Sequence, residues 1–146
     1  MGRLIDIAVD LIGEDKFTLC DVGARGGVPS EWERFAKYLK VIAFEPDIKE
    51  ADNLISRLKE QGVQSNIINK AIWSKNMKTK LYLTKSPASS SLFEPRMEFI
   101  KDFSIADKFQ VVDKVDVEVA TLDAALESYD NNIDFLKIDV QGGTVA

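Results

Sequence analysis

Residues 20–27 read CDVGARGG: an acid near the end of an apolar run, with Gly23, Gly26 and Gly27 close behind it. A tight turn needs one glycine. Three leave the backbone bare enough for another group to come into contact with it. On the order of 20 residues further on, a second apolar run, Val41-Ile42-Ala43-Phe44, closes on Glu45. An acid at the end of the strand that follows a glycine loop can accept hydrogen bonds from both hydroxyls of an adenosine ribose. Together the two features point to an adenosine-containing cofactor. A plain turn and a surface glutamate are the alternative for each taken singly.

The residue inventory narrows the chemistry. The 146 residues include no histidine and a single cysteine, Cys20. The commonest general base and the commonest metal ligand are therefore missing, and a zinc site or a Ser-His or Cys-His nucleophile is excluded. Any reaction must rest on carboxylates, Lys, Tyr, hydroxyls or a cofactor that carries the reactive group. Cys20 lies in an apolar run and reads as a buried thiol; a lone cysteine forms no internal disulfide and fits a reducing compartment. Net charge is −5, and Lys and Arg are interleaved with acids, which argues against a nucleic-acid partner. Hydrophobic residues at 45% and charged residues at 29% match a soluble globular domain. The N-terminus lacks a secretory apolar region, and no apolar stretch approaches the ~18 residues of a membrane span. A cytoplasmic location and no membrane partner are the expectation.

These residues need elements to hold them. Leu4, Ile5, Ala8, Leu11 and Ile12 recur at helical spacing before Gly13. Phe17–Val22 reads as a buried strand. Ser30 with Glu33 reads as a capping box ahead of a helix facing inward with Trp32, Phe35, Ala36 and Leu39. After strand 41–44, Asp47 starts a helix whose face is Ile48, Ala51, Leu54, Ile55 and Leu58, stopped by Gly62. Residues 66–72 form a third strand. Strands without alternation, separated by helices, are the pattern of a parallel α/β sheet. Thr79–Thr84 and Val115–Val119 alternate instead, as half-exposed antiparallel strands do. Between them, residues 86–91 form a loop by composition and residues 95–103 a short helix. Thr121 caps a helix over 122–129, and residues 133–140 are one more buried strand.

The dinucleotide fingerprint Gly-x-Gly-x-x-Gly fails here, because Arg25 stands two positions after Gly23. S-adenosylmethionine has no phosphates, and its α-ammonium suits a carboxylate such as Asp21. Asp-x-Gly-x-x-x-Gly, in Asp21, Gly23 and Gly27, resembles the first motif of class I methyltransferases. The stretches DVGARGG, VIAFEPD, NKAIW, SPASSSLFEP, VATLDAAL and FLKIDVQGG, in that order, resemble the FkbM family of S-adenosylmethionine-dependent methyltransferases. They cover nearly the whole chain from Phe17.

That resemblance implies roles for particular residues. Asp21, Gly23, Ala24, Arg25, Gly26 and Gly27 correspond to the glycine loop around the methionine part of the cofactor. Glu45 corresponds to the ribose acid, followed by Pro46. Ala71 and Ile72 correspond to the segment lining the adenine. Asp139 corresponds to the acid near the methyl group and is the candidate base, or orienting group, for a hydroxyl acceptor. The family commonly carries Asn at the position of Arg25, Glu at that of Thr144 and often Glu at that of Gln141. Ser89, Ser90 and Ser91 are candidate substrate contacts or a solvated loop. Lys137 reads as structural, and Trp32 and Trp73 as packing residues.

The implied fold is a Rossmann-like sheet with parallel strands in the order 3-2-1-4 and an antiparallel insertion between strands 3 and 4. Residues 1–146 are expected to form a single domain, C-terminally incomplete beside the larger class I sheet. Strand 133–140 would then be an apolar edge, and a homodimer through it is expected. The expected activity is methyl transfer to a hydroxyl of a sugar, polyketide or similar small molecule. An NAD-dependent oxidoreductase on a related sheet and a non-catalytic cofactor-binding fragment are the other readings.

Overall fold

The protein is described by a computed structural model, which covers Ile7, residues 16–129 and residues 132–141. The helix expected over residues 4–12 lies, apart from Ile7, outside the described residues, as does Thr144.

The first two apolar runs become β1 (Phe17–Val22) and β2 (Leu39–Phe44), joined by a 3-10 segment over Ser30–Tyr38. Pro29, which carries no capping hydroxyl, holds the N-cap position expected for Ser30. Leu39, assigned above to the helix face, opens β2 instead. Both strands are covered on both faces. Leu19, Leu39, Val41 and Ala43 pack on one side with Leu54 and Leu58. On the other side Cys20, Val22, Ile42 and Phe44 meet Leu126. This is why the runs are continuously apolar rather than alternating. Each fully buried large side chain contributes roughly 1.5–3 kcal/mol of apolar burial.

α1 (Ile48–Glu60) is capped by Asp47, whose carboxylate accepts from the Lys49 amide at 3.1 Å. Its inner face is Ala51, Leu54 and Leu58. Ile48 and Ile55, expected on that face, are exposed; at ~100° per residue they lie on the flank of the stripe that Ala51, Leu54 and Leu58 form. β3 (Gln64–Ile68) follows, and β7 (Phe135–Ile138) completes a four-stranded parallel sheet in the order β3-β2-β1-β7.

The strand expected over residues 66–72 is divided between two sheets. β3 ends at Ile68, and β4 (Ala71–Ile72) pairs with β6 (Val111–Ala120) in a second sheet of order β4-β6-β5. β5 (Met77–Thr84) runs antiparallel to β6 around Leu81, Val117 and Val119. This sheet is the expected insertion, but it is mixed: β5 and β6 are antiparallel, whereas β4 joins β6 in parallel. The loop at 86–91 holds a 3-10 turn, Pro87–Ser89. The helix expected over 95–103 shortens to α2 (Met97–Ile100). α3 (Leu122–Leu126) is also shorter than expected; the Thr121 hydroxyl caps it by accepting from the Ala124 amide at 3.3 Å. β7 occupies one end of the described four-stranded sheet, with Phe135, Leu136 and Ile138 about half exposed. Among the described residues, no helix is long and apolar enough to cross a membrane.

Candidate cofactor site

A cleft opens at the carboxyl ends of β1, β2 and β7, where a parallel sheet receives its ligands. Its empty space is about 900 Å³, open solvent at the mouth included. Val22 and Gly23 reach it from β1, Phe44, Glu45 and Pro46 from β2, and Asp139, Val140 and Gln141 from beyond β7. Arg25 lines it from the glycine loop. The second sheet adds Lys70, Ala71, Ile72, Trp73 and Leu81, and the serine turn adds Ala88, Ser90, Ser91 and Leu92.

The glycine loop owes its bareness first to the chain itself. Gly23, Gly26 and Gly27 have φ of 82°, 91° and 90°, a region that side chains resist. A Cβ on Gly23 would lie 2.2 Å from the Asp139 carbonyl oxygen. The group that comes so close to this main chain is therefore the end of β7. Gly26 faces open space within 4 Å, and Gly27 faces a Leu54 methyl at 3.7 Å. Four of the loop amides are also spoken for. Those of Gly23 and Ala24 both donate to the Phe44 carbonyl at 3.1 Å, that of Gly27 to the Ala24 carbonyl at 3.0 Å, and that of Gly26 to Glu50 Oε1 at 3.3 Å. A phosphate cradle needs such amides free.

Glu45 follows β2 directly, with its side chain 3% exposed. Its Oε1 accepts from the Asp47 amide at 2.9 Å and lies 3.7 Å from Arg25 Nη2. Among the described residues, no contact engages Oε2. Burial pushes the Glu45 carboxyl above its ordinary range; the Asp47 amide and Arg25 pull it back, and the charges of Asp47 and Glu50 push it up. The Asn69 side-chain amide donates to the backbone carbonyls of Glu45 at 2.8 Å and Pro46 at 3.1 Å, holding this strand end from the β3 side.

Asp21 is 1% exposed, and its Oδ1 accepts from Lys137 Nζ at 2.8 Å. Lys137 reads as structural in sequence and here is the counterion of a buried acid. Burial raises the Asp21 carboxyl, Lys137 opposes that rise, and Asp139 adds to it. Cys20 beside it is buried, its thiol pushed up to about 11 by burial and then by the Asp21 charge. A thiol so protonated is a core group.

The cleft thus brings together Gly23, Arg25, Glu45, Pro46, Ala71, Ile72, Ser90, Ser91 and Asp139. Asp21, Ala24, Gly26, Gly27 and Ser89 do not line it. Ser90 and Ser91 are bonded into its wall rather than solvated. Ser90 Oγ accepts from the Thr84 amide at 3.2 Å, and Ser91 Oγ donates to the Gln141 carbonyl at 2.9 Å. Asp139 is exposed at the cleft while its amide donates to the Val22 carbonyl at 2.9 Å. Lys70 and Leu92 fall inside NKAIW and SPASSSLFEP but are not among the site residues expected from sequence, and Leu81 lies outside every quoted stretch. Trp73, which packs on Phe93 at 5.6 Å between ring centroids, was read only as packing. Its place directly after NKAI was the available signal.

A profile of the FkbM methyltransferase domain matches residues 21–145. The chain belongs to the FkbM methyltransferase family. The match begins at Asp21, so the FkbM domain takes in the glycine loop, Glu45, the second sheet and Asp139. No curated protein and no solved structure gives a significant match.

Proposed function

We propose that this FkbM domain binds S-adenosylmethionine in the cleft and directs its methyl group to a hydroxyl of a sugar, polyketide or similar small molecule. The observation that carries the reading is Glu45, an acid at the carboxyl end of β2 that lines the cleft with Oε2 uncommitted. The donor set fits the cofactor. A ribose diol can donate to Glu45, Ala71 and Ile72 offer an apolar surface to a purine, and the amides of Gly23, Ala24, Gly26 and Gly27, already bonded, are not open to a pyrophosphate. The last point favours this cofactor over a nicotinamide dinucleotide.

When bound, S-adenosylmethionine supplies a sulfonium-activated methyl group. The chain's own part is positioning, since aligning the reacting atoms is worth several kcal/mol. Asp139, exposed at the cleft, accepts the proton that the acceptor hydroxyl loses as its oxygen takes the methyl group. Ser90 and Ser91, anchored in the wall, orient the acceptor.

Calorimetry with S-adenosylmethionine and, separately, with NAD tests the reading. Heat with the first and none with the second is expected; the reverse overturns it. Glu45→Ala should weaken S-adenosylmethionine binding by about 2–3 kcal/mol, the worth of hydrogen bonds to a charged group.

A further inference from the structure

Arg25 is the one cation of the glycine loop, and its guanidinium touches three carboxylates. It lies 2.8 Å from Asp47 Oδ2, 3.7 Å from Glu45 Oε1 and 4.0 Å from Glu50 Oε2. Glu50 is held in turn by Arg57 and by the Gly26 amide. The glycine loop after β1 is thus pinned to the first turn of α1 through Arg25. Arginine suits this task better than lysine, because its planar fork meets several carboxylates at once.

We propose that Arg25 is a positioning residue for the ribose acid: braced by Asp47 and Glu50, it holds Glu45 in place as an anion at the cleft, with Oε2 left for the ligand. The inference rests on the cofactor reading above. Glu45 is nearly without solvent, and an ionised carboxylate there needs compensation. The groups facing it are the Arg25 cation from the loop, the Asp47 amide and carboxylate beyond it, and Glu50 from α1; Asn69, from the end of β3, meets only its backbone carbonyl. Two of these groups are negative, so Arg25 is the only cation among them. Without it, burial and the charges of Asp47 and Glu50 favour the protonated acid, which meets a ribose diol with one acceptor fewer.

Arg25→Gln and Arg25→Lys test this against the parent by two readouts. The first is S-adenosylmethionine affinity as a function of pH. Arg25→Gln should bind roughly fivefold to tenfold more weakly at the acidic end of the series and converge on the parent as pH rises through the Glu45 titration of the variant, above which the acid is ionised in both. Arg25→Lys, which keeps a cation, should recover most of the loss. The second readout needs no ligand. Carbon-13 NMR of the Glu45 carboxyl in the free protein, assigned with Glu45→Gln, should show its titration displaced to higher pH in Arg25→Gln. An affinity loss equal at every pH, or an unmoved Glu45 titration, overturns the proposal. If the parent fails to bind S-adenosylmethionine, the cofactor reading falls, and the Glu45 titration still decides whether Arg25 holds the acid ionised.

Discussion

Asp21 and Glu45 stand at the carboxyl ends of adjacent strands, both almost without solvent, yet they are balanced differently. Among the described residues Asp21 has a single ion-pair partner, Lys137, and it lies outside the cleft lining. Glu45 shares its arginine with Asp47 and Glu50, in a cluster where acids outnumber the nearby bases, and it lines the cleft. The first arrangement suits an acid whose partner joins two strands. The second suits an acid kept for something that arrives. Burial raises both carboxyls, so the direction of the shift does not separate them; what each is free to meet does.

The largest expected effect is on the structural side of this pair. Lys137→Met leaves the Asp21 carboxylate buried without its ammonium and should cost about 3 kcal/mol of stability near neutral pH. The pH dependence has a definite sign. The folded-state acid already titrates above its unfolded value, and losing Lys137 raises it further. The deficit should therefore be least below the ordinary carboxylate range, where Asp21 is protonated in both states, and grow as pH rises through the raised folded value. Urea unfolding at acidic and neutral pH checks this, and a deficit equal at both would break the comparison.

Next in size is a contrast within the loop that joins the two acids. Gly23→Ala places a methyl against the Asp139 carbonyl at a positive φ, whereas Gly26→Ala meets only the positive φ. The first should be the more destabilising by about 2 kcal/mol, read as a difference in urea midpoints. Equal midpoints would show that the end of β7 gives way freely.

The smallest effect belongs to the cleft acid. Glu45→Gln removes a charge that burial disfavours while keeping an acceptor for the Asp47 amide. Its stability should lie within about 1 kcal/mol of the parent, on the favourable side at neutral pH, with the gain vanishing in acid. The same variant should lose cofactor affinity. A clear loss of stability at neutral pH would place Glu45 with Asp21, as an acid the fold depends on.

Much of this site was legible beforehand, for local reasons. Glu45 ends an apolar run, and the glycines occupy a turn whose φ values favour them, so their neighbourhood could be read from a few residues. The division of residues 64–72 between two sheets was not legible. Ile67, Ile68, Ala71 and Ile72 offer similar side chains, and only their pairing partners separate β3 from β4. The anchoring of Ser91 on Gln141, across 50 residues, has no local signature either.

By itself the sequence determined that β1 and β2 lie inside a parallel sheet, because continuous apolar runs between amphipathic helices can be buried only with both faces covered. It also determined that a loop of glycines would follow the first strand and an acid the second. The tertiary structure alone decided which cation answers which acid. Arg25 reaches Glu45 because the loop folds back over the end of β2, with the Gly23 and Ala24 amides on the Phe44 carbonyl. Lys137 reaches Asp21 because β1 and β7 pair in a register that sets the two residues side by side. Such pairings depend on register and on turns between distant segments. Their energies are gained only once the chain has closed, so no short stretch of residues carries them.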